Sequence, residues 1–401
     1  MNKKIVYISS TFPFGKSEVW SINEMNSSLE LGHNVTIIPR TGKGVIINQD
    51  AIKFRPNLVD LPFLNWKIFI FLLKIVLFKP LLFFTLLNKN INQSNTIIDF
   101  IKGLIILPKS LFLTKILKSK SIDHIHSLQT TSTAFMASVI SYVLKIPWSY
   151  TLHTSEILNS RYTRSFKFRS SSASLVRTIS QETANDLSDF LGSSLSKKVV
   201  MVPLGVNIKN LKEEKYTTKD SFVFATPAEL TARKGHMFAI KAARELIDQG
   251  ISNFKWLFYG SGPLQKNLEK KVKELGLNNH CFFLGNLDHQ ELLENYKTNK
   301  IDMVIISSVS THIPEGIPVS LMEAMSYEIP VVATDCGGTK ELVDGQTGIL
   351  VNQSDSSAIS NAIIHLIKNP DLRRKIAFNG RNKVVQDFDT IKNTSKLIKL
   401  F

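Results

Sequence analysis

Cysteine is nearly absent from this 401-residue sequence, which contains only Cys281 and Cys336. They lie far apart and lack the spacing of metal ligands, which argues against a disulfide framework or a cysteine-based metal centre and predicts a protein of the reducing cytoplasm. The N-terminus, MNKKIVYISS, also lacks a long apolar run. Its four consecutive apolar residues are too few for a signal-peptide core and predict a first strand.

Acidic residues are few as well, since 33 Asp and Glu stand against 49 Lys and Arg, for a formal net charge of +16 at pH 7. The excess is concentrated in residues 51–120, where eleven basic residues and two acids give a net charge of +9. The same region is the most apolar of the chain. Basic and apolar character together predict contact with an anionic membrane surface through about residues 61–120, and no nucleic-acid partner.

Residues 61–90 carry apolar stretches that Lys67, Lys74 and Lys79 interrupt and that Pro80 would bend. A membrane span needs about 20 mostly apolar residues, so an interfacial helix or hairpin fits better. One alternative is an inserted helical pair that covers the sheet while its lysines reach water. A true span is a further alternative.

Strand and helix patterns alternate along most of the chain, which predicts βαβ units and parallel sheets. At this length two domains are expected. We place an N-terminal Rossmann-like domain at 1–205, with the basic apolar insert at about 51–120, and a C-terminal one at 206–380. The predicted fold class is α/β, with two doubly wound domains facing across a cleft that binds the ligands.

The most informative stretch is PEGIPVSLMEAMSYEIPVVATDCGGTKELVDGQTGILV. Pro318 predicts a helix start, because proline at the first helical position loses no hydrogen bond. Glu315 then precedes the helix, and Glu323 lies about a turn and a half inside it. The amides of residues 317–320 are expected to form an anion site. One carboxylate on each side of an anion site suits a sugar nucleotide, with its diphosphate on the amides and its hydroxyls on the acids.

This stretch resembles the E-x7-E region of retaining glycosyltransferases of family 4, and the likeness continues through a GG-x-x-E turn and a G-x-L/I-V strand end. The resemblance implies the GT-B fold, a nucleotide-sugar site in the C-terminal domain, and a C-terminal helix at 381–401 that packs back on the first domain. It also implies that Glu315 touches the transferred sugar and Glu323 the ribose hydroxyls. The donor-binding segment is completed by Gly316, Ile317, Pro318 and Val319. The alternative is an amphipathic helix with ordinary surface glutamates.

The segment PAELTARKGH supplies Arg233 and Lys234 just after a strand. A site without a metal needs cations and amide dipoles to stabilise the leaving diphosphate. By resemblance Lys234 grips the diphosphate, and because the usual partner arginine is Glu229 here, part of that role passes to Arg233. A surface Arg-Lys pair is the alternative. Residues expected to hold the base through their backbone are Gly285, Asn286 and Leu287.

The first domain offers two further segments. In FPFGKSE, Gly15 is expected to meet a phosphate of the donor, although a simple strand-to-helix turn would look the same. The acceptor-side residues are predicted to be Lys16, Ser17, Glu18 and His126. His153 ends the strand WSYTLH in the place of the family's H-A-x-D histidine, which implies contact with the donor sugar, and a neutral packing histidine is the alternative.

His124 and His126 lie two apart on one strand face, but no third ligand is evident, so we expect no metal site. No cofactor is expected beyond the nucleotide-sugar substrate. Glu328 stands where relatives commonly have glycine after the helix, so the helix end is expected to differ locally.

Taken together, these patterns predict a cytoplasmic, retaining, metal-independent GT-B glycosyltransferase, peripheral on the inner face of the cell membrane. It would move a hexose from a UDP- or GDP-sugar to a lipid-linked glycan acceptor in bacterial capsule, O-antigen or exopolysaccharide biosynthesis. Catalytic roles are assigned to Glu315, His153 and Lys234, with a front-face mechanism implied by the resemblance. The alternatives are the same fold with a soluble acceptor, and a catalytically silent GT-B protein that serves as a membrane assembly partner.

Overall fold

A computed structural model describes the chain at residues 2–14, 18, 20–42, 44–46, 49–62, 65–154, 163–208, 221–285, 289–310 and 315–401. The chain divides into two compact units. The N-terminal unit comprises Met1–Pro203 and Thr390–Phe401, and the C-terminal unit comprises Leu204–Asp389. The division lies two residues before the expected boundary, and the returning segment begins at residue 390 rather than 381.

The N-terminal unit contains a parallel sheet. Its strands are β1 (Lys4–Ser9), β2 (Asn34–Pro39), β3 (His124–Ser127), β4 (Trp148–Leu152), β5 (Leu175–Thr178) and β6 (Val199–Met201). Their spatial order is β2–β1–β3–β4–β5–β6, and every described pair is parallel. Strand β1 reads as a continuous apolar run, as expected where helices cover both faces of a sheet; its residues Ile5, Val6, Tyr7 and Ile8 are fully buried.

Helices connect these strands. They are α1 (Ser21–Glu30), α2 (Gln49–Ile52), α3 (Trp66–Phe78), α4 (Pro80–Gln93), α5 (Ile97–Leu117), α6 (Ser132–Leu144), α7 (Thr163–Ser172) and α8 (Gln181–Leu191). Short 3-10 turns lie at Arg55–Asn57 and Ser196–Lys198. The basic apolar insert therefore folds mainly as α3, α4 and α5 between β2 and β3.

The insert is only partly buried. Ile68 and Ile75, seven residues apart on α3, face the core, while most of that helix's other apolar residues are exposed. Proline begins α4, and the axes of α3 and α4 differ by 110°, as expected for a proline that cannot continue the preceding helix. Within the described residues no single helix is long and apolar enough to cross a membrane. The bent pair of α3 and α4 has, taken together, the length and the apolar composition of a span.

The C-terminal unit contains a second parallel sheet. Its strands are β7 (Phe222–Pro227), β8 (Phe254–Tyr259), β9 (Cys281–Gly285), β10 (Met303–Ile306), β11 (Val331–Thr334) and β12 (Ile349–Val351). Their spatial order is β12–β11–β10–β7–β8–β9. The strand order reverses beside β7, and open α/β sheets bind ligands at such a switch point, outside the carboxyl ends of the strands.

Helices also cover this sheet. They are α9 (His236–Asp248), α10 (Gln265–Glu274), α11 (His289–Lys297), α12 (Val319–Ser326), α13 (Ser356–Lys368) and α14 (Pro370–Asp387). Short 3-10 turns precede α9 at Ala232–Lys234 and follow β11 at Gly337–Glu341. The last helix, α15 (Thr390–Lys399), belongs to the N-terminal unit, where it packs against α1.

Candidate functional site

The C-terminal unit brings three of the predicted residues into one ionic cluster. Lys234 Nζ donates to Glu315 Oε2 at 2.7 Å, and Arg233 lies 3.0 Å from the same oxygen. The hydroxyl of Ser308, which the sequence did not single out, donates to this oxygen at 3.0 Å. Two cations around one carboxylate leave a net charge of +1, so the cluster keeps positive charge available to an anion.

The backbone explains how the cluster is placed. Lys234 ends the turn after β7, and Gly235 follows with a φ of +61°; a Cβ there would lie 1.9 Å from the carbonyl oxygen of Ser307. Gly337 has a φ of +55°, and a Cβ there would lie 2.0 Å from the carbonyl oxygen of Glu315. Only glycine permits both the left-handed conformation and this close approach. The two glycines thus set the backbone positions of both partners in the ion pair.

Glu315 is ionised in this setting. Its side chain is only 9% exposed, and burial alone would raise the pKa of the carboxyl. The charges of Lys234 and Arg233, with the hydrogen bonds from Lys234 and Ser308, outweigh that burial and bring the pKa below its usual value. A buried carboxylate is tolerated because it is paired and hydrogen-bonded.

Helix α12 begins beside Glu315, as predicted from Pro318, which forms its N-cap. The expected anion site at residues 317–320 needs one correction, because Pro318 has no N–H to offer. The first helical amides, of Val319 and Ser320, have no acceptor within the helix and so present partial positive charge. Ile317 is 3% exposed and packs its side chain in the core, so only its backbone could serve a donor. Gly316 is partly exposed.

Glu323 forms a second polar pair in the same unit. It is the fifth residue of α12, is 8% exposed, and lies with Oε1 2.7 Å from Nε2 of His289 at the start of α11. Sequence reasoning missed His289, since a single histidine 34 residues before its partner shows no recognisable spacing. The pair fixes the direction of the Glu323 carboxylate.

The predicted base-binding segment is described only in part. Gly285 ends β9 with a φ of +67°, and its carbonyl accepts a hydrogen bond from the Gly260 amide at 2.7 Å. Asn286 and Leu287 lie outside the described residues. Glu229, which stands where an arginine was expected, is exposed, and its carbonyl accepts from Nε2 of His236 at 3.0 Å.

His153 lies in the N-terminal unit, just after β4. Its Nε2 donates to the Leu128 carbonyl at 2.8 Å, and its ring packs edge-on against Trp20 at 4.5 Å between centroids. Burial lowers the pKa of His153 to about 4, although the bond to Leu128 opposes this. The imidazole is therefore neutral at pH 7, and its other nitrogen, Nδ1, is a hydrogen-bond acceptor.

The acceptor-side residues of the N-terminal unit occupy two settings. Both ring nitrogens of the fully buried His126 are engaged, Nδ1 with the Ser149 hydroxyl at 2.7 Å and Nε2 with the Thr151 hydroxyl at 2.9 Å. The buried Glu18 carboxylate accepts hydrogen bonds from the backbone amides of residues 10–12. These contacts account for the position of both side chains, and their assignment to the acceptor stays a prediction. Gly15, Lys16 and Ser17 lie outside the described residues.

Among the described residues, no three His, Cys, Asp or Glu side chains are grouped so that they could hold a metal ion.

Comparison with known proteins gives matches in sequence and in structure. Residues 207–383, less than half of the chain, match the family model "Glycosyl transferases group 1". The putative glycosyltransferase EpsD of Bacillus subtilis is 30% identical over 180 residues, 44% of this chain and 45% of that protein. The putative colanic acid biosynthesis glycosyltransferase WcaL of Salmonella typhimurium is 32% identical over 166 residues, 40% of each chain. The chain thus spans less than half the length of these two relatives.

A solved structure matches nearly the whole chain. Anabaena HepE in complex with UDP aligns with a TM-score of 0.72 and 19% sequence identity, covering 99% of this chain and 98% of that one. At this identity the likeness shows the fold alone, and it confirms the predicted GT-B class. The family model and the relatives support the group 1 glycosyltransferases as the family of the matched C-terminal region. The finer assignments, to family 4 and to retention, stay predictions.

Proposed function

We propose that the protein is a retaining glycosyltransferase of family 4 that transfers a hexose from a UDP- or GDP-sugar to a lipid-linked glycan acceptor. The observation that carries the proposal is the cluster of Lys234, Arg233 and Glu315 beside the amide end of α12. The names of WcaL and of the HepE complex, which mention colanic acid biosynthesis and UDP, favour a nucleotide donor and a polysaccharide pathway.

The chemistry follows from charge. Breaking the bond between the anomeric carbon and the diphosphate leaves extra negative charge on the leaving oxygen. Lys234, Arg233 and the first amides of α12 are fixed donors that would stabilise that charge without reorganising. The acceptor oxygen bonds to the same face of the anomeric carbon, and its proton passes to the leaving phosphate. No protein nucleophile and no metal is assigned to the reaction.

Three side chains would hold the sugar and the nucleoside. Glu323, oriented by His289, is placed to accept hydrogen bonds from the ribose hydroxyls. Glu315 would accept from a hydroxyl of the transferred hexose while its other contacts keep Lys234 in place. His153 is neutral and its Nε2–H already donates to the Leu128 carbonyl, so we assign its Nδ1 an accepting contact with a sugar hydroxyl rather than a charge.

The first test is a panel of UDP- and GDP-sugars, assayed for binding by calorimetry and for transfer or slow donor hydrolysis. Glu323→Gln is expected to weaken donor binding about tenfold, the loss of a charge-assisted hydrogen bond. Glu315→Gln and Lys234→Gln should lower turnover about 100-fold or more, as removal of a preorganised transition-state contact does. Glu274→Gln, on the exposed surface of α10, is the matched control.

The outcomes separate the alternatives. If the wild-type protein binds no nucleotide sugar, the catalytically silent assembly partner replaces the enzyme. If Glu315→Gln and Glu323→Gln both behave as wild type, the cluster is not the donor site. Product NMR should show the donor's anomeric configuration retained, and activity should survive full chelation with EDTA. An inverted product or a strict divalent-ion requirement contradicts the mechanism.

We also propose that the protein is cytoplasmic and peripheral on the inner face of the cell membrane, with the insert as the contact surface. The exposed faces of helices α3 and α4 in the insert are mainly apolar. Exposed large residues of α3 and α4 are Trp66, Phe69, Ile70, Leu73, Val76, Leu77, Phe78, Leu81, Phe84 and Ile91. Lys67, Lys74 and Lys79 are exposed among them. Apolar and aromatic residues with interspersed lysines are typical of interfacial binding to anionic lipid.

A further inference from the structure

A separate cavity lies within the N-terminal unit, between the insert and the carboxyl ends of the sheet strands. Its volume is about 300 Å³, at the lower end of the range for ligand pockets. Helices α4 and α5 supply one wall, and the segments after β2 and β3 supply the other. The carboxyl ends of parallel strands are where α/β sheets bind ligands. None of the described donor-site residues of the C-terminal unit lines it.

A buried arginine forms part of the wall. Arg169 on α7 is 9% exposed and donates to the carbonyl oxygens of Thr130 and of Gln93, the latter at 2.9 Å. Its Nε has no acceptor within the described part of the chain, and neither does Oε1 of Gln93 have a donor there. Both residues line the cavity. Buried polar atoms are seldom left without partners, so the free Nε–H of Arg169 favours a ligand that accepts hydrogen bonds; Oε1 of Gln93 is itself an acceptor and needs a donor instead.

The opposite wall adds a second arginine and a helix end. Arg40, which follows β2, donates to the Ser132 hydroxyl at 2.7 Å. Thr131, the N-cap of α6, lines the cavity and makes no side-chain capping bond, so the first amides of this 13-residue helix need another acceptor. Lys109 holds this wall in place, since its buried ammonium donates to the carbonyl oxygens of Pro39 and Arg40.

The charges favour an anion. Arg40, Lys102 and Arg169 are the cations of the lining and Asp99 is its only acid, so the described lining carries a net charge of +2. Asp99 is already engaged at the start of α5, where its carboxylate accepts from the Thr96 amide at 3.2 Å in a capping box. Guanidinium groups and helix amides are the donors that proteins use for phosphate.

The surroundings of the cavity are apolar. Helix α5, which supplies Lys102 to the lining, exposes Ile98, Ile101 and Ile105 on neighbouring turns. Because cationic lining and exposed apolar surface adjoin on one helix, the site suits an amphiphile with an anionic head. We infer that this cavity binds the phosphate or diphosphate of a lipid-linked acceptor while the lipid chain lies along the exposed apolar surface of the insert. The inference rests on the proposed function, whose acceptor it places.

The test uses the full chain with farnesyl diphosphate below its micellar concentration, inorganic pyrophosphate and farnesol as probes. Farnesyl diphosphate is expected to bind at least tenfold more tightly than either of the others. Arg40→Gln should weaken its binding about tenfold, the loss of a charge-assisted bond, and Lys102→Gln about threefold, as for an exposed charge. Lys115→Gln removes an equal charge from the exposed surface of the same helix, away from the cavity, and should bind as wild type.

Three results would overturn the inference. Binding that is unchanged in Arg40→Gln and Lys102→Gln, or equally weakened in Lys115→Gln, removes the cavity as the site. Binding that is lost in Lys234→Gln instead assigns the diphosphate to the donor cluster. If pyrophosphate binds as tightly as farnesyl diphosphate, the cavity is a site for free anions and does not recognise a lipid chain. Circular dichroism of each variant verifies folding.

Binding of nucleotide sugars, measured in parallel, separates this inference from the proposed function. The cavity variants are expected to bind the donor as wild type does. A wild-type protein that binds farnesyl diphosphate in the cavity but no nucleotide sugar would refute the enzyme and leave the lipid-phosphate site intact. A protein that binds and hydrolyses the donor but ignores farnesyl diphosphate would refute the site alone.

Discussion

Glu328 adopts a backbone conformation that glycine usually supplies. It follows α12 with a φ of +58°, and a non-glycine residue in the left-handed region costs about 1–2 kcal/mol. The helix thus ends in the left-handed conformation without a glycine, at the cost of local backbone strain. The expectation that this helix end differs locally from that of relatives stays a prediction.

Relief of that strain gives a prediction at this position. Glu328→Gly should raise the free energy of unfolding by roughly 0.5–1 kcal/mol. The strain energy of the left-handed conformation that glycine removes is larger than the cost of the extra backbone entropy that glycine loses on folding. Urea denaturation followed by circular dichroism measures the change. Glu328→Ala keeps the Cβ and should give no such gain; an equal gain would assign the effect to the side chain rather than to the backbone.

Lys109 predicts how stability depends on pH. Burial lowers the pKa of its ammonium to about 8, with Asp60 opposing and Arg40 adding to the shift. Between about pH 8 and the usual lysine pKa of about 10.4, the unfolded chain binds more protons than the folded one, so stability rises with pH over that window. In Lys109→Met this rise should be absent.

The same variant should be less stable already at pH 7, by about 1–3 kcal/mol, because two buried carbonyl oxygens lose their donor. Its deficit against wild type is then expected to widen as the pH rises from 8 to 10. Thermal or urea unfolding at several pH values measures this difference. A deficit that narrows over that window would contradict the assigned pKa direction.

Residues of the candidate site were predictable from the sequence only where they belong to a recognisable motif. Glu315, Glu323 and Lys234 follow from local patterns, and the structure brings Lys234 and Glu315 together. Ser308 and His289 do not, because their roles depend on folding distances that no short spacing encodes. Lys109 shows an error in the other direction. From the sequence it belongs to the basic residues expected on the surface of the insert, but in the fold it is buried and donates to two carbonyl oxygens.

Helices α3 and α4 carry the membrane proposal, and exposed residues allow a test that spares the core. Phe78 and Leu81 are 78% and 81% exposed. Replacing both by serine should lower partition into anionic vesicles by tenfold or more, since each apolar side chain that enters lipid contributes about 1.5–3 kcal/mol. Flotation at 0.1 M salt measures this. Phe378→Ser changes an exposed phenylalanine of α14 and is the control.

Electrostatic attraction by the insert lysines should also be visible in these assays. Raising the salt to about 1 M shortens the Debye length to about 3 Å and is expected to weaken binding further. A wild-type protein that fails to float at low salt would favour the soluble acceptor. Vesicles of neutral lipid that bind equally well would remove the lysines from the interaction.

Element by element, strands and most helices are predictable because short apolar runs mark strands buried on both faces and period-3.6 patterns mark helices buried on one face. The break between α3 and α4 also follows from Pro80. The exposure of their apolar faces does not follow, because an apolar helix buried in a core and one facing lipid share the same composition. The cavity beside α5 is likewise invisible in the sequence, since its lining comes from segments separated by many residues.

At the scale of the whole molecule, α15 completes the N-terminal unit after the chain has passed through the C-terminal one. Leu397 is fully buried there. Leu397→Ala should destabilise the N-terminal unit by about 2–5 kcal/mol through lost contacts and the cavity left behind. Leu400→Ala, at a 46% exposed position in the same unit, should change little.

Limited proteolysis with mass spectrometry, run along a thermal ramp, shows which unit opens. In Leu397→Ala the early cleavages are expected within residues 2–203, while the C-terminal unit stays protected to the wild-type temperature. Early cleavage within residues 204–389 instead would mean that α15 stabilises the other unit.

The return of α15 has a consequence for biosynthesis. The ribosome makes Leu204–Asp389 before it makes the helix that finishes the N-terminal unit. At about 5–20 residues per second, that interval lasts on the order of 10–40 s. During this time the first sheet lacks one of its covering helices, and when the interval ends the second unit has all of its residues while the first still lacks α15. The unit that is synthesised first is therefore the unit that completes its fold last. Until then its exposed apolar insert can be bound by chaperones or by lipid.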